Sequence, residues 1–365
     1  MNAVLQVLPS FHTGGVEQTT LLIANALAAK GVRSFIVSSG GILTRKLHPG
    51  VIHIEMPLSS KNPFIILKNT KKLKRIIESY SIDIVHARSR APAWSAYLAS
   101  RATKAHFLTT YHGAYSQNFF KWYYNQVMAF GEMVIVTSSY MESHVKQHYP
   151  NARCVQIASG INTQFFSKEH VQQQKVQELR DFWDIKEDTK IVLLLGRFTP
   201  IKGHYQLLQA IKDSSLKNRI KVIFVGDSKN PRLVHDLRRK AKNYNVQLYV
   251  HLDESDLRAF FSLADVVVVP TIKPEAFGRV TVEAMSMGNV VIVNDLGASK
   301  EIVTDKRWIF DHNSTEDFTR KIDHALLLQS DKKEHIGAAN RAHAVKLYNV
   351  DILIESHLRL YESFF

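Results

Sequence analysis

At 365 residues the chain has room for two domains of ~150 residues each. Apolar residues make up 45% and charged residues 22%, a balance that excludes a disordered chain, a collagen-like chain and a coiled coil. The net charge is +14 and Cys154 is the single cysteine, so no intramolecular disulfide is possible and a reducing compartment is expected.

Residues 1–9 carry no basic region ahead of their apolar stretch, so no signal peptide is expected. Residues 3–8 read as a strand, followed by a loop with Gly14 and Gly15 and a helix over 16–30 that Gly31 ends. Strands are predicted at 34–38 and 51–55. A basic stretch follows, with Lys61, Lys68, Lys71, Lys72, Lys74 and Arg75 ahead of the next acid, Glu78. Within it Ile66, Leu73, Ile77 and Tyr80 recur at helical spacing. Such a helix fits an anionic membrane surface, and equally a core-packed helix with a solvated basic face. Further strands are predicted at 82–86, 106–110 and 134–137. The same alternation recurs at 191–195, 221–225, 246–250, 266–269 and 290–294, with helices from 204 and over 279–287. Strands alternating with helices imply parallel sheets covered on both faces. Two doubly wound, Rossmann-like α/β domains are therefore expected, 1–165 and 166–349, with the hinge in the Gln-rich, charged stretch 167–187. No apolar run approaches the ~18 residues of a spanning helix.

The charge is unevenly distributed. Residues 1–165 hold 17 Lys and Arg against 6 Asp and Glu, a net of +11, and the remainder nets +3. The first domain should meet something anionic. Nucleic acid ranks last, because no zinc-finger spacing, sheet-reader motif or basic tail is present.

In open α/β sheets ligands bind beyond the carboxyl ends of the strands, so the loops there are the candidate binding segments. Gly196-Arg197-Phe198-Thr199-Pro200-Ile201-Lys202-Gly203 follows a strand and opens a helix. Two cations five residues apart at a helix N-terminus suit a pyrophosphate, or are solvated surface charges. Glu275 and Glu283 stand eight residues apart around Phe277-Gly278. Glu283 is flanked by apolar residues, where a carboxylate is costly unless it binds something, and vicinal hydroxyls are suitable donors to it. Gly14-Gly15 permits close backbone approach, or simply a tight turn. His112 ends another strand and fits either a substrate contact or a structural role. Arg88 and Arg90 read as contacts for an anionic acceptor or as surface charges. No Asp-x-Asp pair, Cys/His metal spacing or Gly-x-Ser-x-Gly elbow occurs, so no metal is expected and protein groups must neutralise any diphosphate.

As an ordered set these residues resemble the retaining glycosyltransferases of family 4, of the bacterial lipopolysaccharide and surface-glycan type, over nearly the whole chain. The matching features are Gly14-Gly15, Asp83-Ile84-Val85-His86, His112, Gly196-Arg197 with Lys202-Gly203, Glu275 to Glu283, and Gly297-Ala298-Ser299-Lys300-Glu301-Ile302-Val303. The sequence departs from the family pattern at Ser159-Gly160-Ile161-Asn162, at Asn289 and at Ala298. The resemblance implies the GT-B fold, two Rossmann-like domains facing across a cleft, with residues 350–365 crossing back to the first domain. It implies that Arg197 and Lys202 bind the donor diphosphate in place of a metal. Glu275 and the backbone of Phe277-Gly278 would hold sugar hydroxyls, with Arg279 beside them and Glu283 on the ribose. Gly14 and Gly15 would approach the donor from the other domain, and His112 the sugar or the acceptor hydroxyl. The implied reaction is metal-independent, retaining transfer from a nucleotide-diphosphate sugar, UDP-linked first of all, to a lipid-linked or surface-glycan acceptor. The sugar would be a hexosyl or N-acetylhexosaminyl group. A sugar-nucleotide 2-epimerase and a non-catalytic sugar-nucleotide-binding protein are the alternatives. The expected location is the cytoplasm, with the inner face of the cytoplasmic membrane within reach of the basic helix.

Overall fold

The computed structural model describes residues 2–12, 14–115, 118–228, 230–241, 245–250 and 257–365. The chain divides into unit 1, Met1–Gly160 with Val350–Phe365, and unit 2, Ile161–Asn349. The first boundary lies five residues before the expected one. The stretch expected as the hinge instead holds a helix of unit 2, whose Val176 and nearby Trp183 are buried in that unit's core.

Unit 1 runs β1 (Ala3–Val7), α1 (Gly15–Ala29), β2 (Arg33–Ser38), β3 (Val51–Glu55), α2 (Pro63–Ser79), β4 (Ile84–Ala87), α3 (Arg90–Arg101), β5 (His106–Tyr111), α4 (Phe119–Asn125), β6 (Met133–Val136), α5 (Ser139–His148) and β7 (Cys154–Gln156). Its sheet is parallel throughout, in the order β3-β2-β1-β4-β5-β6-β7. Unit 2 runs α6 (Gln173–Phe182), β8 (Lys190–Leu195), α7 (His204–Asp213), β9 (Ile220–Gly226), α8 (Pro231–Ala241), β10 (Val246–Val250), α9 (Leu257–Leu263), β11 (Val266–Val269), α10 (Arg279–Ser286), β12 (Val291–Asn294), α11 (Ser299–Ile302), β13 (Ile309–Phe310), α12 (Thr315–Leu326) and α13 (Ser330–Tyr348). The sheet order is β10-β9-β8-β11-β12-β13, again parallel. This is the dinucleotide-fold order, with its reversal between β8 and β11. The corresponding reversal in unit 1 lies between β1 and β4.

The central strands are buried on both faces, which is why they read as unbroken apolar runs. The last helix, α14 (Val350–Glu362), packs in unit 1, where Leu358 and Tyr361 join Val4, Ile23, Leu27, Ile84 and Leu108 in one apolar cluster. No helix among the described residues is long and apolar enough to cross a membrane.

Candidate functional site

The two loops flanking the strand reversal of unit 2 carry most of the sequence-predicted residues. After β8 the chain turns at Gly196, and buried Phe198 anchors the loop by donating its N–H to the Asp227 carbonyl at 2.8 Å. Gly203 has φ +75°, and a side chain there would collide with the Pro270 carbonyl of the neighbouring loop. Only glycine combines that left-handed turn with that approach. Helix α7 starts at once, with no side chain capping its first N–H groups, so these donors face outward at its positive end. The Lys202 stem lies across Gly196, its Cδ 3.4 Å from where a Cβ would sit. The Lys202 ammonium ends 2.5 Å from Glu275 Oε1. Arg197 is exposed, with no partner for its guanidinium among the described residues.

The loop after β11 presents Glu275. Its carbonyl accepts the Ala298 N–H at 3.0 Å, and Gly297, at φ +62°, lets that segment lie against it. Helix α10 opens at Gly278 without a side-chain cap. A Cβ on Gly278 would lie 2.8 Å from Ser299 Oγ and 3.2 Å from Thr281 Oγ1. The missing side chain is therefore needed by packing inside the loop cluster, a reason distinct from the close ligand approach expected for it. The hydroxyls of Ser299 and Thr281 are buried and make no hydrogen bond. Glu283 is buried on α10, and Arg279 Nε, one turn earlier, lies 2.8 Å from its Oε1. The ring of Phe277 meets Tyr348 edge-on at 5.7 Å. Arg197, Lys202, Glu275, Phe277, Gly278, Arg279 and Glu283 thus belong to one loop cluster, but the sequence did not show that Lys202 pairs with Glu275 and Arg279 with Glu283.

In unit 1 the corresponding loops hold Gly14, Gly15, Arg88 and Arg90. A Cβ on Gly15 would meet nothing within 4 Å, so the N-terminus of α1 is open there. Arg88 corrects the expectation of a surface contact. It is only 1% exposed, and its Nε and Nη2 donate to Gln6 Oε1 at 3.1 and 2.6 Å. Its Nη1 is buried without a hydrogen bond. Gln6 in turn donates to the Thr20 carbonyl of α1 at 3.2 Å. His86 lies between Tyr361 Oη (2.6 Å) and Thr110 Oγ1 (2.7 Å), with His357 stacked nearby. Burial and the adjacent Arg88 cation hold His86 well below the usual histidine range. They push His112 down to about 3. Its imidazole is therefore neutral at physiological pH, and its Nε2 makes no hydrogen bond. Arg90 donates to Asn125 Oδ1 at 2.9 Å and lies 4.0 Å above the Tyr115 ring. Lys68, Lys71 and Lys72 are exposed on α2, while Lys74 is half-buried and 3.6 Å from Glu78.

Comparison with known proteins converges on one class. Residues 13–165 match the family model described as Glycosyltransferase Family 4, and residues 175–343 that of Glycosyl transferases group 1. A solved glycosyltransferase from Rickettsia africae ESF-5 is 33% identical, with a TM-score of 0.89 over 100% of this chain and 98% of that one. The chain belongs to glycosyltransferase family 4. It is a glycosyltransferase of the GT-B fold. An N,N'-diacetylbacillosaminyl-diphospho-undecaprenol alpha-1,3-N-acetylgalactosaminyltransferase of Campylobacter jejuni is 25% identical over 380 residues, 96% of each chain. A lipopolysaccharide 1,2-N-acetylglucosaminetransferase of Salmonella typhimurium is 29% identical over 181 residues, 47% of this chain and 46% of that one.

Sequence reasoning missed two features of this glycosyltransferase. Gln6, a lone amide in the apolar strand Ala3–Val7, was the available signal for the Arg88 network. The second is the outward face of α4, where Phe119, Phe120 and Tyr123 are 78, 82 and 61% exposed. Among the described residues one acidic and histidine group, Asp295, Asp311 and His312, comes within reach of a shared ion. Of the three only Asp311 is exposed, and His312 Nδ1 lies 2.7 Å from Asp295 Oδ1.

Proposed function

We propose that this enzyme transfers a hexosyl or N-acetylhexosaminyl group, with retention and without a metal, from a nucleotide-diphosphate sugar to a lipid-linked or surface-glycan acceptor, with UDP as the donor nucleotide. The observation that carries the reading is the loop cluster at the β8/β11 reversal. Three cations, Arg197, Lys202 and Arg279, two uncapped helix N-termini and the free hydroxyls of Ser299 and Thr281 belong to that cluster together with two carboxylates. Helix N-termini and fixed cations stabilise phosphate charge. Arg197 and Lys202 would take the diphosphate and steady the leaving group. Glu275 would accept hydrogen bonds from the sugar, and Glu283, held by Arg279, from the ribose. In unit 1, Gly15 leaves the N-terminus of α1 open to a ligand oxygen, while the Glu17 carboxylate lies against Gly14. Neutral His112 offers its free Nε2 to a sugar or acceptor hydroxyl. The lipid-linked acceptor rests on what the named relatives act upon. The expected result is nucleotide release from one member of a panel of UDP- and GDP-sugars, dependent on added undecaprenyl-diphosphate-linked glycan and undiminished by excess EDTA. Loss of transfer in EDTA with recovery on added magnesium or manganese would refute the metal-independent part. Epimerised sugar without transfer would favour the epimerase.

The acceptor class implies work at a membrane, and unit 1 has a surface suited to it. Phe64 and Leu67 on α2 are 83 and 55% exposed. Lys61, just ahead of α2, lies 5.8 Å from the Tyr124 ring, and Trp94 of α3 stacks on Tyr123 at 6.3 Å. No acid occurs between residues 56 and 77 or between 84 and 131. Aromatic rings framed by lysines suit an anionic lipid interface. With each lysine contributing about 1 kcal/mol before screening, Lys68, Lys71, Lys72 and Lys74 changed together to Ser should weaken binding to phosphatidylglycerol-containing vesicles about 100-fold. Co-sedimentation unchanged by that variant would leave α2 as solvated surface.

A further inference from the structure

We propose that the Lys202–Glu275 ion pair is a built-in competitor of the diphosphate, which makes the site select a sugar nucleotide over the free nucleotide diphosphate. The inference rests on the reading of this loop cluster as the donor site.

The pair joins the two loops on either side of the strand reversal, 73 residues apart in sequence. Its side chains are 17 and 24% exposed. They are therefore partly withdrawn from water, which strengthens their attraction, yet remain reachable by a ligand. Neither end is free to move far at its base. The Lys202 stem is laid over Gly196, and the Glu275 backbone is tied to Ala298 and pressed by Gly297. Exchange of partners therefore needs only the last bonds of each side chain to rotate.

A diphosphate arriving at Lys202 must displace the Glu275 carboxylate. The displaced carboxylate is left beside an incoming polyanion, where like charges repel. If the diphosphate carries a sugar, the sugar hydroxyls donate to Glu275 and offset that loss. If it does not, the carboxylate is compensated only by water. The same exchange runs in reverse after transfer. Once the sugar has gone to the acceptor, Glu275 returns to Lys202 and weakens the hold on the product nucleotide. Glu283 differs, because its partner Arg279 lies on the same helix one turn away, and its pairing does not depend on which ligand occupies the loop after β8.

The test is a calorimetric double-mutant cycle on the full chain, comparing wild type, Glu275→Gln, Lys202→Met and the double variant. UDP, GDP and inorganic pyrophosphate serve as probes. Glu275→Gln is expected to bind UDP and pyrophosphate about fivefold more tightly than wild type, equivalent to about 1 kcal/mol, even as sugar transfer falls. Product inhibition by UDP should sharpen by a similar factor. The gain should vanish in the Lys202→Met background. Glu275→Ala should move affinity in the same direction, which excludes a new contact from the amide, and thermal melts confirm that each variant is folded. Unchanged or weaker UDP binding by folded Glu275→Gln and Glu275→Ala would overturn the exchange while leaving the donor site standing. If none of the probes binds wild type or variant, the donor reading itself fails, and the exchange with it.

Discussion

Lys202→Met is expected to lower kcat/KM for sugar transfer by about 100- to 1000-fold, and Arg197→Met by about 100-fold, in line with the loss of one preorganised charge-stabilising group. Methionine is close to lysine in length and keeps an apolar stem over Gly196, so the substitution removes the charge and spares the loop. Glu275, partly exposed, can turn to water. The uncapped ends of α7 and α10 remain, and in the proposed donor complex they would leave residual activity. The loss should fall mainly on kcat if the cations act on the charge that develops as the diphosphate departs, and on KM if they only hold the ground state. Steady-state kinetics on the two variants decides this. Wild-type kcat/KM in Lys202→Met would remove the lysine from the reaction.

A second large effect is loss of stability in acid. His86, His357 and His204 are 0, 1 and 2% exposed, and burial is the main cause that lowers all three. His204, between Phe198 and Phe224, is pushed down to about 4, with nearby Lys202 adding to burial. His112 is lowered to about 3. In the unfolded chain each titrates near 6.5. Below that pH the unfolded state binds protons that the folded state refuses, so stability present above pH 6.5 is lost as pH falls toward the folded values. The loss is about 1.4 kcal/mol per histidine per pH unit. At pH 5 His112 and His204, lowered to about 3 and about 4, together cost about 4 kcal/mol, a large share of the stability of many domains, and the buried His86 and His357 act in the same direction. Unit 1 holds His86, His112 and His357, and unit 2 holds His204, so unit 1 should melt first. Calorimetric scans from pH 7.5 to 5 should show the lower transition falling steeply. His357→Gln should flatten that slope. A melting temperature independent of pH over this range would contradict the account.

The strands at the centre of each sheet were legible because burial on both faces leaves unbroken apolar runs such as Val266–Val269. The edge strands β7 and β13 were not, since three and two residues carry no period. Helix α6 was hidden by its Gln and charge content, and only Val176 and nearby Trp183 tie it to the core. Helix α4 was hidden for the opposite reason, because its aromatic residues face outward and give no buried stripe. The candidate residues were legible one by one as loop residues after strands. Their pairings were not, because Lys202 and Glu275 meet across 73 positions and Gln6 and Arg88 across 82. Only the fold brings such pairs together. Arg88 is the instructive case, since an arginine beyond a strand end reads as an open anion contact, and a lone glutamine in β1 takes it inside.

The central claim is that protein cations in the loop after β8, rather than a metal ion, hold the donor diphosphate. Calorimetric titration of UDP into the full chain in excess EDTA tests it most directly, with the Arg197→Met/Lys202→Met double variant alongside. The account predicts saturable binding to wild type in EDTA and at least about tenfold weaker binding to the variant, the loss of two charge-assisted contacts. Binding that requires added magnesium, or equal affinity in wild type and variant, would contradict it.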